Sequence, residues 1–203
     1  MLDCASTIDW SPGIGDPGKL GWITVIGYLT SAVLAIAVVW LSSRSRHGPA
    51  YRRQRFFWFL LAIVLLALAL NKQLDLQLLM TEIGRCVART EGWYDQRRGV
   101  QQAFITATII GLAAGTFIMM LVLIGLRIQN YLAVLGVAAV LFFILLRAAT
   151  DFHVDALIRL TGMIKSRDWM IELGGIGLIL VSALLLLAQR EREEDGGPGD
   201  PPA

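Results

Sequence analysis

Seven residues, Asn71-Lys72-Gln73-Leu74-Asp75-Leu76-Gln77, follow directly on a run that is wholly apolar from Phe56 to Leu70. At helical spacing Asn71, Asp75 and Glu82 share a stripe, and Lys72 stands three residues before Asp75. A second group follows a later apolar run: Arg147, Asp151, Asp155 and Arg159 recur every four residues, with His153 among them. Glu172 opens the last apolar block. Charge beside an apolar run costs at least ~2.5 kcal/mol at membrane depth, so such side chains face protein or water and are candidates for function. Four kinds of chemistry suit them. Asp75, His153 and Asp155 are the candidates for acid–base work on lipid head groups, because an imidazole beside a carboxylate can move a proton near neutral pH. Asn71, Lys72, Gln73, Gln77, Arg97, Arg98, Arg147, Asp151 and Glu172 are the candidates for a binding surface, with the arginines suited to an anionic head group. Buried carboxylates also suit an ion or proton pathway. The fourth possibility is a ladder of ion pairs, with Lys72 and Asp75 of one span meeting Arg147, Asp151 and Asp155 of another.

A metal reading of Asp151-x-His153-x-Asp155 meets a geometric objection: on one continuous helix, residues two apart point about 200° apart. A carboxylate-rich set drawing on Asp75 or Glu172 with His153 stays open, but no metal ligand is assigned and no cofactor is implied. Glu172 also has a plain structural use near a helix N-terminus, where its charge meets the helix dipole and Asp168 can cap.

The elements that must position these residues are long helices. The chain has 203 residues, 56% of them hydrophobic and only 17% charged, where a soluble domain carries about 25% charged residues. The apolar residues fall into five blocks, at about 20–41, 56–80, 103–126, 131–155 and 170–188. The expected fold is therefore all-α, an integral membrane bundle of five transmembrane helices over residues 1–189. The charged, Gly/Pro-rich tail 190–203 is expected to be disordered. Fifteen apolar residues from Phe56 are too few for a span of about 20, so one helix is expected to continue through the polar heptad. Gly111 and Gly115 form a small-residue pair that admits a close helix neighbour. Residues 1–19 lack a basic region before an apolar core and a small-residue cleavage site. The first span is therefore expected to act as a signal anchor.

Five spans put the termini on opposite sides. The first loop is rich in arginine (Arg44, Arg46, Arg52, Arg53, Arg55), which predicts that loop and the C-terminus in the cytoplasm and the N-terminus outside. The ends of spans two and four and the starts of spans three and five then share one polar face, expected to be periplasmic, and the opposite face is expected to be plain. Cys4 and Cys86, the two cysteines, fall on that outer side, where disulfides persist, which makes them a candidate disulfide pair, with two free thiols as the alternative. Membrane lipids and other membrane proteins are the partners implied. The basic loop against a membrane is explained by anionic lipid rather than nucleic acid. No phosphate-binding glycine loop, nucleophile elbow or Cys-x-x-Cys is present.

The Asn71–Gln77 heptad, the Gly92-Trp93-Tyr94…Arg97-Arg98…Gln101 run and the Arg147…Phe152-His153-x-Asp155 run together resemble a group of uncharacterised bacterial multi-pass inner-membrane proteins. The resemblance covers spans two to five and implies no established activity. Members of that group often carry the label isopropylmalate isomerase, which these residues do not support. That enzyme is soluble and holds an iron–sulfur cluster through three cysteines, whereas this chain has two. The reading that follows is a binding or scaffolding protein, with a lipid-head-group enzyme and an ion pathway as the alternatives.

Overall fold

A computed structural model describes residues 18–45, 48–75, 97–151 and 168–195, together with positions 79, 82–84, 86, 87, 90 and 92. The fold is all-helical. Five long helices account for it: α1 (Lys19–Ser45), α2 (Pro49–Leu74), α3 (Arg97–Val122), α4 (Ile128–Asp151) and α5 (Asp168–Asp195). Each contains a stretch long and apolar enough to cross a membrane.

The boundaries follow from local chemistry. Gly48-Pro49 starts α2, because proline in the first turn sacrifices only an amide that has no helical partner. The helix therefore begins seven residues before the apolar run at Phe56 and takes Arg52, Arg53 and Arg55 into its opening turns. It ends at Leu74, where Asp75 turns left-handed with φ 47° and ψ 49°. Aspartate is among the few side chains that tolerate that conformation. The expected continuous helix through Gln77 is thus interrupted, and Asn71 and Asp75 do not share a helical stripe with Glu82. Lys72 lies in the last turn, where its charge opposes the partial negative charge of the helix C-terminus. Between α3 and α4 the chain reverses through Gly125, whose φ of 81° suits glycine. The turn is closed by Leu126 N–H donating to Leu123 O at 3.0 Å.

The helices pack in the order α2–α1–α5–α4, with α3 laid against α4 on the flank. Only 6% of the α3 apolar window is buried, against 33–44% in the other four helices. The core is a column of Tyr28, Ala32, Trp58, Leu65, Val140 and Ile179. Two close approaches set its width. A Cβ on Gly175 of α5 would stand 2.7 Å from Gly136 O of α4, and one on Gly136 would stand 2.7 Å from Gly175 O. A Cβ on Gly27 of α1 would meet the Ile176 side chain at 3.0 Å. Small residues let helix backbones approach in this way, and dispersion contacts then hold them. Gly111 and Gly115 on α3 have nothing within 4 Å of a built Cβ among the described residues, so the pair picked out in the sequence meets none of the other four helices.

Candidate functional site

Three helices converge at the end of the bundle where α2 finishes and α5 begins. Along α1, Thr24, Tyr28 and Ser31 fall at helical spacing on one buried face. Thr24 and Ser31 are satisfied locally: Thr24 Oγ1 donates to Gly21 O at 2.8 Å, and Ser31 Oγ donates to Gly27 O at 2.8 Å. Tyr28 instead reaches across. Its hydroxyl donates to Glu172 Oε1 at 2.9 Å, and Lys72 Nζ donates to Glu172 Oε2 at 3.2 Å. One carboxylate therefore ties α1, α2 and α5 together through a different oxygen for each donor.

The packing explains why the three meet. Gly175 and Ile176 follow Glu172 by three and four residues, so the contacts that clamp α5 to α4 and α1 lie one turn below the carboxylate. Glu172 is 3% exposed and Tyr28 1%. The Lys72 side chain is 15% exposed and so keeps an edge toward the open end. A buried ion pair adds little net stability, since desolvation offsets attraction, but leaving either charge alone costs about 3–5 kcal/mol. The arrangement therefore makes the mutual position of these three helices hard to change.

Sequence reasoning singled out both Lys72 and Glu172 and expected Lys72 to face the aspartates of span four. The ion pair described for Lys72 is with α5, because α1 and α5 are neighbours and α5 sits close at its glycines. Tyr28 was missed. Its signal was the Thr24–Tyr28–Ser31 stripe inside an otherwise apolar span, which marks the inward face. Asn71, Gln73 and Asp75 are half-buried around the α2 terminus, with Asp75 serving as its cap. Arg97 and Arg98 form the first turn of α3, Arg147 is exposed near the end of α4, and Asp151 is the last residue of that helix. Gln77, His153 and Asp155 lie outside the described residues, as does Cys4. Cys86 is disulfide-bonded. Among the described residues no cluster of three His, Cys, Asp or Glu side chains could hold a metal ion.

The opposite end was expected to be plain, and it carries a network of its own, with neutral groups at its centre and two arginines at its rim. Trp58 Nε1 of α2 donates to Asn130 Oδ1 of α4 at 2.9 Å, and Asn130 Nδ2 donates to Arg127 O at 3.2 Å. Ser182 of α5 donates to the main-chain oxygen of Gln129. Arg127 Nη1 donates to Gln189 Oε1 at 2.8 Å, and Arg53 Nη1 donates to Val122 O at 3.0 Å, capping the end of α3. Gln129 Oε1 is buried without a hydrogen-bond partner among the described residues. In sequence, Arg127 to Asn130 only fill the gap between the apolar blocks 103–126 and 131–155.

Comparison with protein-family models, curated proteins and solved structures finds no match to this chain.

Proposed function

We propose that this chain is a non-enzymatic, multi-pass protein of a bacterial inner membrane that docks another membrane protein through the end holding Lys72 and Glu172. The observation carrying this reading is the charge at that end. The stretches of sequence that meet there, 71–101 and 147–172, carry nine lysines and arginines against eight aspartates and glutamates. A mosaic with nearly as many acids as bases complements another mosaic and sets register and partner choice, whereas an anionic amphiphile calls for an excess of bases. The cross-tied carboxylate beneath gives that surface a fixed base, so docking costs little in ordering.

The disulfide at Cys86 supports an oxidising compartment for this end. With two cysteines in the chain, Cys4 is its intramolecular partner in this reading, and the N-terminus lies outside with the C-terminus in the cytoplasm. The arginine-rich first loop at the other end agrees with that orientation. An ion pathway is less well supported, because the layer between the two polar ends is filled by Leu61, Leu65, Val140, Ile176 and Ile179, each at most 3% exposed.

Site-specific photocrosslinkers at positions 97 and 147 in native membranes test the reading. Discrete protein adducts from both positions, with none from the exposed apolar position 63, are expected. Adducts that contain only lipid would replace the protein partner with an anionic amphiphile. An activity on lipid head groups lost in His153→Asn at unchanged thermal stability would establish the enzyme reading instead.

A further inference from the structure

The α1–α2 hairpin is built without acid. From Pro17 to Leu74 the chain holds no aspartate or glutamate, while Arg44, Arg46, Arg52, Arg53 and Arg55 gather around its turn. The structure sorts three of these arginines. Arg53 donates to Val122 O at the end of α3. Arg52 and Arg55 are exposed, with no hydrogen-bond or ion-pair partner among the described residues. Below them, on the same helix face at spacings of three and four, run Phe56, Phe59, Ile63 and Leu66. These four are 61%, 53%, 48% and 40% exposed. The buried face of α2, carrying Trp58, Leu61, Ala62 and Leu65, points the other way.

We propose that this outer face of α2 is a selective docking site for an anionic phospholipid. The lipid phosphate sits between the guanidinium groups of Arg52 and Arg55, and one acyl chain lies along Phe56, Phe59, Ile63 and Leu66. Three properties of the face fit that occupant. Guanidinium pairs with phosphate oxygens through parallel N–H donors, a geometry ammonium lacks. The absence of any carboxylate in the hairpin leaves the charge unopposed locally. From Phe56 to Leu66 the helix rises about 15 Å, half the ~30 Å hydrocarbon thickness and so the depth of one leaflet. A zwitterionic lipid offers the same chain but adds a cation beside the arginines.

The test uses the full-length protein, delipidated in neutral detergent and titrated with dioleoyl-phosphatidylglycerol or dioleoyl-phosphatidylcholine, with retained lipid counted by native mass spectrometry. Wild type is expected to retain the phosphatidylglycerol preferentially. Arg52→Gln and Arg55→Gln should each weaken that retention about fivefold, with the phosphatidylcholine unaffected. Arg52→Lys should keep part of the preference, which separates loss of charge from loss of fold. Phe59→Ala should weaken both lipids equally. Equal retention of the two lipids by wild type would overturn the proposal. So would undiminished phosphatidylglycerol retention in the Arg52→Gln/Arg55→Gln double variant. Full displacement of the lipid by glycerophosphate alone would assign the arginines to a free anion and also sink it. The docking surface proposed above lies at the other end of the bundle, so Arg97→Gln and Arg98→Gln leave this readout unchanged.

Discussion

The two ends of the bundle solve one problem with different chemistry. At one end a charged pair and a phenol join α1, α2 and α5 around the Glu172 carboxylate. At the other, the side chains of Trp58, Asn130 and Ser182 and the main-chain oxygen of Gln129 join α2, α4 and α5 through neutral groups. The helix pairs tied differ as well, so the two knots together hold all four inner helices, while α3 hangs outside both on α4. Charge makes the first knot intolerant of losing a single member. The amide knot degrades by steps, because each lost bond strands a dipole rather than an ion.

The largest effect expected from breaking this contrast is at the carboxylate. Glu172→Ala removes the carboxylate to which both Lys72 and Tyr28 donate and should destabilise the purified protein by about 3–5 kcal/mol in detergent unfolding. The double variant Glu172→Leu/Lys72→Met removes both charges and should recover most of that loss. A double variant no better than Glu172→Ala would show that the pair is not what links the helices.

Packing comes next. Gly175→Ala puts a methyl 2.7 Å from Gly136 O and should cost about 1–3 kcal/mol by forcing α4 and α5 apart. Gly111→Ala, where nothing lies within 4 Å, should be neutral or slightly stabilising, since alanine is the better helix former. Equal melting-temperature losses for the two would contradict the close approach seen at Gly175.

Much of this was legible in the sequence, and what was hidden has a physical reason. Charge in an apolar run is costly, so Lys72 and Glu172 stood out as soon as the runs were drawn. Their pairing did not, because it depends on which helices are neighbours, and neighbourhood here is set by Gly27, Gly136 and Gly175. Those three look no different in sequence from Gly111 and Gly115, which have no close neighbour among the described residues. The amide knot was hidden more deeply. In sequence Asn130 and Gln129 fall in the four residues between two apolar blocks, and neutral groups leave no charge signature to suggest that they turn inward in the first turn of α4. The end of α2 was misjudged because one apolar run followed by a polar heptad reads as one helix, whereas Asp75 changes the backbone hand without changing composition.

Within the charged knot, Tyr28→Phe isolates the weaker of the two bonds to Glu172. It removes one hydroxyl and keeps the ring, so core packing is retained. Hydrogen bonds between helices in a bilayer average about 0.6 kcal/mol and reach about 1.7, and a loss toward the upper figure is expected because the acceptor is charged. The same variant in an Arg53→Gln background should show additive losses, since that bond caps α3 at the far end.

The smallest effect sharpens the comparison most, because it carries the opposite sign. Gln129 is 6% exposed and its Oε1 has no donor among the described residues, so the neutral knot contains an acceptor that contributes nothing by bonding. An unsatisfied buried amide oxygen costs about 1–3 kcal/mol, and an apolar side chain of similar size removes that cost while keeping the volume. Gln129→Leu should therefore leave the melting temperature unchanged or raise it slightly. The Ser182 bond survives the change because it uses the main-chain oxygen of residue 129. A similar apolar replacement at Glu172, made alone, removes the acceptor that Lys72 and Tyr28 share and must lower stability. If Gln129→Leu lowers the melting temperature as well, its side chain is bonded in solution, and the amide knot is as intolerant of loss as the charged one.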